Sequence, residues 1–375
     1  MSTDDPSETS FVREVAKAAA GNDASFALFF FSPSLLDPRR LARAIRRQAP
    51  KLRYAGCSTA GEITPAGLQE GNALALLFPG ASFTAVSTMV NRISSSGIEE
   101  ISAQIGTLRQ RLTVEMPPCH GGNVFAICLI DGLSYAEETV TAAIHWHLDD
   151  IPLVGGSSGD DLKFEATSLL CDGKVSSDAA IVTLFATDVP FHVFKTDNFV
   201  ATDSKLVVTA SDAGRRVVHE FNAAPAAEEY AGAVGLLAKD LTPLSFASHP
   251  TVVRVGGEYF CRSIQKANGD GSLSFFCAID DGIVLSIARA VDLVESTEDA
   301  LRQVGETLGG ADVVLGFDCV LRRLDAVNRQ AVRGLSEVYS RNHVIGFGTY
   351  GEQYRSMHLN QTFTGIALGY REAAE

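Results

Sequence analysis

Three short segments of the chain combine glycine, hydroxyl and carboxylate side chains in nearly the same order. They are residues 56–62 (GCSTAGE), 155–160 (GGSSGD) and 346–352 (GFGTYGE). Glycine lets backbone N–H groups approach a ligand closely, hydroxyl groups can donate hydrogen bonds to it, and a carboxylate can bind an ammonium group. A free amino acid needs both kinds of contact. We therefore predict ligand contacts from Ser58, Thr59, Glu62, Ser157, Asp160, Thr349 and Glu352.

The same residue types also have a structural interpretation. Glycine adopts positive φ in tight strand exits, hydroxyl groups cap turns, and a carboxylate accepts backbone N–H bonds. The repetition favours this interpretation for some of the copies, because one ligand seldom needs three equivalent sites. It predicts that Gly61 and Gly351 have positive φ or face a closely approaching backbone. A phosphate-binding loop is excluded, because no Lys follows the glycines.

Arg262 is a further candidate for binding a ligand carboxylate. It follows Tyr259, Phe260 and Cys261 in a predicted strand, where a guanidinium group could pair with an acidic group. The alternative is that Arg262 points to solvent from the outer face of its sheet.

A hydrolytic enzyme is a less favoured alternative. Ser58 together with a histidine would resemble a nucleophile and its base, but the G-x-S-x-G pattern is not matched, since Ala60 stands where the second glycine belongs. We therefore expect no enzymatic activity.

Each glycine segment ends a similar stretch of sequence. An apolar run begins at Phe26, Asn123 or Asp312, a helical pattern and a second apolar run follow, and the motif glycine comes 30, 32 or 34 residues after the start (56 − 26, 155 − 123 and 346 − 312). This length predicts three strand–helix–strand units with right-handed crossovers. The motifs would then lie at the carboxyl ends of strands, where α/β sheets bind ligands.

The remaining sequence predicts mainly strands and short turns. Residues 167–171 and 179–185 are predicted to form a hairpin through Asp172 and Gly173, and residues 251–292 are predicted to form a β-meander. A single helix is predicted over residues 98–112. We place a domain boundary near residues 190–200.

Composition limits the partners and the compartment. The net charge of −14 and the pI near 5.0 argue against nucleic acid or an anionic membrane as the main partner. No apolar run approaches the ~20 residues of a membrane span. The N-terminus is acidic rather than basic, and the seven cysteines form no C-x-x-C pair. We therefore expect buried, reduced thiols in a cytoplasmic protein.

Several motifs resemble one known family. Residues 56–63 and 154–161 resemble the conserved stretches of the FIST N-terminal domain. Residues 222–226 with Tyr230, and residues 348–352 followed by 360–362, resemble the FIST C-terminal domain. The resemblance runs from about residue 25 to about residue 371. It implies an α/β fold with mixed sheets in two FIST halves, an N-terminal domain at 25–195 and a C-terminal domain at 196–371.

The resemblance also implies a function. The FIST domains that the chain resembles are intracellular sensory modules. They bind small ligands such as amino acids and serve signalling proteins. A stand-alone subset, the NosP-type proteins, binds haem, senses nitric oxide and acts on a histidine kinase or a cyclic-di-GMP enzyme. The two-half layout favours that subset. We thus expect a haem-binding nitric oxide sensor, with a FIST module that binds an amino acid or other metabolite without haem as the alternative.

A haem group would need an axial ligand. One imidazole in an apolar pocket, with its other ring nitrogen held by an acceptor, holds a five-coordinate ferrous haem. Among the eight histidines, His249 near Phe246 is our first choice and His145 on a predicted helix is the second. Arg262 could pair with a haem propionate.

Overall fold

A computed structural model describes residues 1–116, 123–148 and 150–370 of the 375-residue chain. Its first part confirms the first strand–helix–strand unit, because β2 and β3 pair in parallel. The elements of this unit are β1 (Ser2–Thr3), α1 (Glu8–Gly21), β2 (Ala24–Phe31), α2 (Pro38–Gln48), β3 (Arg53–Ser58), β4 (Glu62–Thr64), β5 (Gly67–Gln69) and β6 (Ala73–Pro79).

The second unit repeats this order. Its elements are β7 (Phe83–Asn91), α3 (Ile98–Ile105), α4 (Leu108–Glu115), β8 (Asn123–Asp131), α5 (Glu137–Leu148), β9 (Leu153–Ser158), β10 (Leu169–Cys171), β11 (Lys174–Ser176) and β12 (Ala179–Thr187). The predicted helix over residues 98–112 is therefore wrong as a single element, since the chain forms two helices that break at Gly106 and Thr107.

The third unit begins with β13 (Phe191–Asp197) and is then interrupted by an insertion. The insertion contains β14 (Phe199–Asp212), β15 (Val217–Phe221), β16 (Ala224–Pro225), α6 (Ala226–Ala233), α7 (Pro243–Ser248), β17 (Thr251–Val255), β18 (Glu258–Arg262), β19 (Ile264–Ala267), β20 (Leu273–Phe275) and β21 (Val284–Ala290). The unit resumes with α8 (Leu293–Leu308), β22 (Val313–Cys319), α9 (Val320–Asn328), α10 (Val332–Arg341), β23 (Val344–Thr349), β24 (Glu352–Tyr354), β25 (Met357–Leu359) and β26 (Thr362–Leu368).

The three units share one sheet pattern. In each unit two central strands are parallel, and the last strand returns antiparallel to the first of them, as β6, β12 and β26 do. The hairpin that follows each glycine motif pairs with a strand of another unit rather than with the sheet of its own unit. Hairpin β4–β5 pairs with β23, β10–β11 with β3, and β24–β25 with β9. The units are therefore joined in a ring by exchanged hairpins.

One apolar core lies between these three sheets. It contains Phe30 and Phe26 from β2, Phe125 from β8, and Phe317 and Phe347 from the third unit. The rings of Phe30 and Phe347 lie 4.5 Å apart between centroids. Burial of each such side chain contributes about 1.5–3 kcal/mol. The helices of each unit cover the outer sheet faces with separate apolar clusters.

The insertion forms its own sheet and core. Its strands are ordered β18–β17–β21–β14–β15–β20–β19, so the predicted meander over residues 251–292 is wrong: β19 and β20 leave their neighbours and join β15. Phe221, Tyr230 and Leu285 are buried in its core. The insertion starts within the predicted boundary region. The division into 25–195 and 196–371 stays a prediction, and residue 371 lies outside the described residues.

The predicted hairpin around Asp172 and Gly173 is wrong in its second strand. The turn is present, with positive φ at both residues, as two-residue hairpin turns require. It joins β10 to the short β11, however, whereas β12 lies in the sheet of the second unit.

The described residues bear on the expected thiols and on membrane spans. Their six cysteines are all buried and free, and Cys119 lies outside those residues. None of their helices combines the length and apolar character that crossing a membrane requires.

Candidate functional site

The three glycine segments meet and form what we call the glycine hub (residues 56–62, 155–160 and 346–352). The backbone N–H of Ala60 donates to Gly348 O at 2.9 Å, and that of Gly159 donates to Ser58 O at 3.1 Å. The N–H of Ser157 donates to Gly351 O at 2.7 Å. Each segment therefore contacts both others. The structure brings together all the predicted site residues of these motifs.

The two hub glutamates tie their segments to the returning strands. Thr59 Oγ1 donates to Glu62 Oε1 at 2.5 Å, and the N–H of Asn72, just before β6, donates to Oε2 at 3.0 Å. In the third unit the Thr349 hydroxyl donates to Glu352 Oε1, and Thr362 Oγ1 donates to Oε2 at 2.8 Å. Burial raises the pKa of Glu62 to about 7 and the pKa of Glu352 to about 8, against the opposing effect of these donors.

Asp160 holds the loop that follows the second motif. Its carboxylate accepts from the N–H groups of Phe164, Glu165 and Ala166 at 2.6–2.9 Å and from the Tyr350 hydroxyl. Burial by itself would raise the pKa of Asp160, but these donors outweigh it and lower the pKa.

The hub is closed to solvent and its polar groups have protein partners. Asp160 is 2% exposed, and the other predicted motif residues are 0% exposed. Ser58 Oγ donates to Gly159 O at 2.7 Å, and Gln353 Nε2 donates to Ser157 Oγ at 3.0 Å. These contacts favour the structural interpretation of the motifs. Ligand binding by their side chains stays a prediction.

We predicted that two hub glycines, Gly61 and Gly351, have positive φ or face a closely approaching backbone. The prediction is confirmed for Gly61, whose φ is +107°. For Gly351 it is wrong in detail, because a Cβ there would overlap the ring of His358 rather than backbone. No sequence pattern indicated that the buried His358 packs against the hub.

Arg262 joins the insertion to hairpin β24–β25. Its Nη1 donates to Cys261 O and to His358 O, both at 3.2 Å. It is partly buried rather than exposed to solvent, and pairing of its guanidinium group with a ligand carboxylate stays a prediction. Arg216 makes a second connection, because its Nη2 donates to Glu137 Oε2 at 2.7 Å and to Glu138 Oε2 at 2.8 Å.

His249 does not fit a haem group, and haem binding at His145 stays a prediction. His249 is half-buried at the end of α7, but its Nδ1 is buried and has no hydrogen-bond partner among the described residues, whereas an axial histidine holds an acceptor there. His145 is exposed and lines a cleft of about 290 Å³ whose walls are mostly apolar, with Asp150 and Arg355 as its charged residues.

A larger cleft lies where the insertion meets the third unit, and we call it the junction cleft. Its volume is about 600 Å³, within the range of about 300–1,000 Å³ of small-molecule sites. Its lining consists of Lys195, Asp197, Phe199, Val200, Ala201, Glu258, Tyr259 and Tyr354. Lys195 and Asp197 were missed in the sequence, although their spacing of two on a strand places both side chains on one face.

The junction cleft contains a largely buried ion pair. Lys195 Nζ donates to Asp197 Oδ2 at 2.5 Å and to Tyr259 O at 3.3 Å, and it lies 5.0 Å from the centroid of the Phe260 ring. The side chain of Lys195 is 7% exposed and that of Asp197 is 28% exposed. Asp197 Oδ1 is buried and accepts no hydrogen bond from the described residues. Burial raises the pKa of Asp197, although Lys195 opposes this.

These groups have hydrogen-bonding capacity left for a ligand. An ammonium group has three donors, and two of those of Lys195 are used. The exposed carboxylate of Glu258 accepts no hydrogen bond from the described residues, and Arg254 lies 5.8 Å from the ring of Tyr259. Cations and carboxylates beside aromatic rings can bind both ends of a zwitterion. Within the described residues, no group of three His, Cys, Asp or Glu side chains is placed to bind a metal ion.

A second polar cleft, of about 370 Å³, lies beside the carboxyl end of β8 and includes Arg39 and Asp131. Both oxygens of Asp131 already accept hydrogen bonds, one from the Thr167 hydroxyl and Leu133 N, the other from Asp178 N at 2.5 Å. Asp131 therefore has less hydrogen-bonding capacity left for a ligand than the charged groups of the junction cleft have.

Comparison with known proteins gives the family. The model of the FIST N domain matches residues 25–224, and that of the FIST C domain matches residues 226–355. No curated protein matches the chain. FIST domains are small-ligand-sensing modules of signal transduction rather than enzymes. With both domains matched over most of its length, the chain belongs to the FIST family.

Proposed function

We propose that this protein is a signal-transduction sensor that binds an amino acid or a similar zwitterionic metabolite in the junction cleft. The observation that carries the proposal is the side-by-side placement of Lys195, Asp197 and Glu258 in a cleft of about 600 Å³. The ligand ammonium group would bind the carboxylate of Glu258. The ligand carboxylate would bind the third N–H donor of Lys195. Tyr259 and Tyr354 would cover the ligand from the sides.

The position of the cleft suits a sensor. One wall belongs to β13 in the third unit, and another belongs to β14 and β18 in the insertion. A ligand that contacts both walls stabilises one arrangement of the insertion against the three-unit core, and such a preference is what shifts a population of states. A partner that contacts both parts would respond to it. From the family resemblance we predict a histidine kinase or a cyclic-di-GMP enzyme as that partner.

The proposal is tested by isothermal titration of the purified protein with the common amino acids. We expect a subset to bind with one site per chain. Glu258→Gln should weaken that binding about ten-fold or more, because a hydrogen bond to a charged group contributes about 1.5–3 kcal/mol. The matched control is Glu220→Gln, which changes another exposed glutamate on β15, outside the cleft, and should leave affinity unchanged.

Two results would contradict the proposal. The first is that no amino acid binds at millimolar concentration. The second is that Glu258→Gln and Glu220→Gln bind equally well. A parallel addition of haemin tests the nitric oxide sensor that the resemblance implies: a stoichiometric Soret band, shifted by nitric oxide in the ferrous protein, would favour haem sensing over the metabolite.

A further inference from the structure

The walls of the junction cleft differ in chemistry. The ionic groups come from Lys195, Asp197 and Glu258. The start of β14 contributes only apolar side chains, those of Phe199, Val200 and Ala201. A ligand whose charged ends occupy the ionic groups would direct its side chain along the strand towards these three residues.

The apolar wall is continuous with a small buried cluster. Phe199 packs with Val252, Cys261 and Ala288, and both Ala201 and Tyr259 pack against this cluster. The apolar surface therefore extends from the tyrosine beside the ionic groups to the start of β14. None of the three β14 side chains can donate or accept a hydrogen bond for a polar ligand side chain. A charged or hydroxylated side chain would lose hydration there without compensation.

Part of this wall is in contact with water. The side chain of Val200 is 53% exposed, although it lines the cleft. Val200 points to the opposite face of β14 from Phe199 and Ala201. A ligand side chain that covers Val200 removes apolar surface from water on both partners, and this favours binding in proportion to the area covered.

We propose that the junction cleft selects amino acids with an unbranched or branched apolar side chain of several carbons, and that the exposed Val200 at the start of β14 determines this specificity. The inference rests on the proposed function, because it concerns the side chain of the ligand proposed above. Glycine and alanine would bind weakly, and aspartate, glutamate, lysine and serine would bind more weakly than apolar amino acids of similar size.

The test is a homologous series measured by isothermal titration: glycine, alanine, 2-aminobutyrate, norvaline and norleucine. Each methylene group buried against the wall should tighten binding about four-fold. Val200→Asp should flatten the series. Because Val200 is exposed, we expect the variant to fold, and circular dichroism and the melting temperature check this.

The matched control is Val207→Asp. Val207 lies on the same strand and is 37% exposed, but it does not line the junction cleft. This variant should keep the full dependence on chain length. Equal loss of the dependence in both variants would contradict the assignment of the wall.

If the series binds with one affinity from glycine to norleucine, the proposed function stands and the apolar specificity is wrong. If no member of the series binds, both the proposed function and the apolar specificity are wrong.

Discussion

At the residue scale, Glu62 and Glu352 occupy matching positions in two of the repeated units. Each accepts a hydrogen bond from a threonine three residues earlier and another from the start of the returning strand. Such contacts hold a turn against a strand. They give the carboxylate at the end of both motifs a role in the fold that needs no ligand.

The raised pKa of Glu352 gives a prediction about stability and pH. Burial raises this pKa from 4.5 to about 8. The folded state therefore binds the proton more tightly than the unfolded state, so the stability from this group is full below about pH 4.5 and is lost as pH rises to about 8. Glu352→Gln should remove that part of the pH dependence, on the order of 1–4 kcal/mol.

Melting temperatures of the wild type and Glu352→Gln between pH 5 and pH 8.5 give the measurement. The difference between the two proteins should change steadily in favour of the variant as pH rises. Glu228→Gln, on the exposed side of α6, serves as the control and should follow the wild type. Parallel curves for Glu352→Gln and wild type would contradict the assignment.

At the element scale, glycines allow the central parallel strands to pack closely. A Cβ at Gly56 would overlap the carbonyl oxygen of Phe29, and one at Gly155 would overlap that of Cys128. These overlaps involve backbone of the neighbouring strand, which cannot move as a side chain can. Each of these two strands therefore needs a glycine at the position that faces this carbonyl oxygen.

Gly155→Ala should destabilise the protein by about 1–3 kcal/mol, as an extra carbon in a packed core does. Gly232→Ala is the matched comparison, because Gly232 lies in α6 and a Cβ there meets nothing within 4 Å. That change should stabilise the protein by about 0.5–1 kcal/mol. Urea denaturation measures both, and a Gly155→Ala variant as stable as wild type would refute the close-packing argument.

At the scale of the whole molecule, local patterns predicted the units but not their assembly. The spacing from Phe26 to Gly56 identifies a strand–helix–strand unit, because the strands, helix and turn are neighbours in sequence. The exchange that pairs Glu352 with Gly156 across the units leaves no local pattern. The junction cleft was missed for the same reason, since Lys195, Glu258 and Tyr354 lie on three distant segments.

The insertion is held to the core by a buried ion pair, and this gives a prediction for the whole molecule. Arg216 and Glu137 are both nearly enclosed, with side chains 7% and 3% exposed. Arg216→Met leaves Glu137 buried without its partner and should destabilise the protein by about 3–5 kcal/mol. Arg302→Met, which removes exposed ion pairs on α8, should leave the denaturation midpoint nearly unchanged. Equal midpoints for the two variants in urea would contradict this role of Arg216.

The central claim is that the ligand binds in the junction cleft and that the glycine hub is structural. The most direct test is the dissociation constant of the tightest-binding amino acid, measured by isothermal titration for wild type, Glu258→Gln and Glu62→Gln. We predict about ten-fold or greater weakening for Glu258→Gln and an affinity equal to wild type for Glu62→Gln. The opposite result is loss of binding in Glu62→Gln with Glu258→Gln unaffected and both variants folded. It would contradict the account and indicate that the ligand binds in the glycine hub.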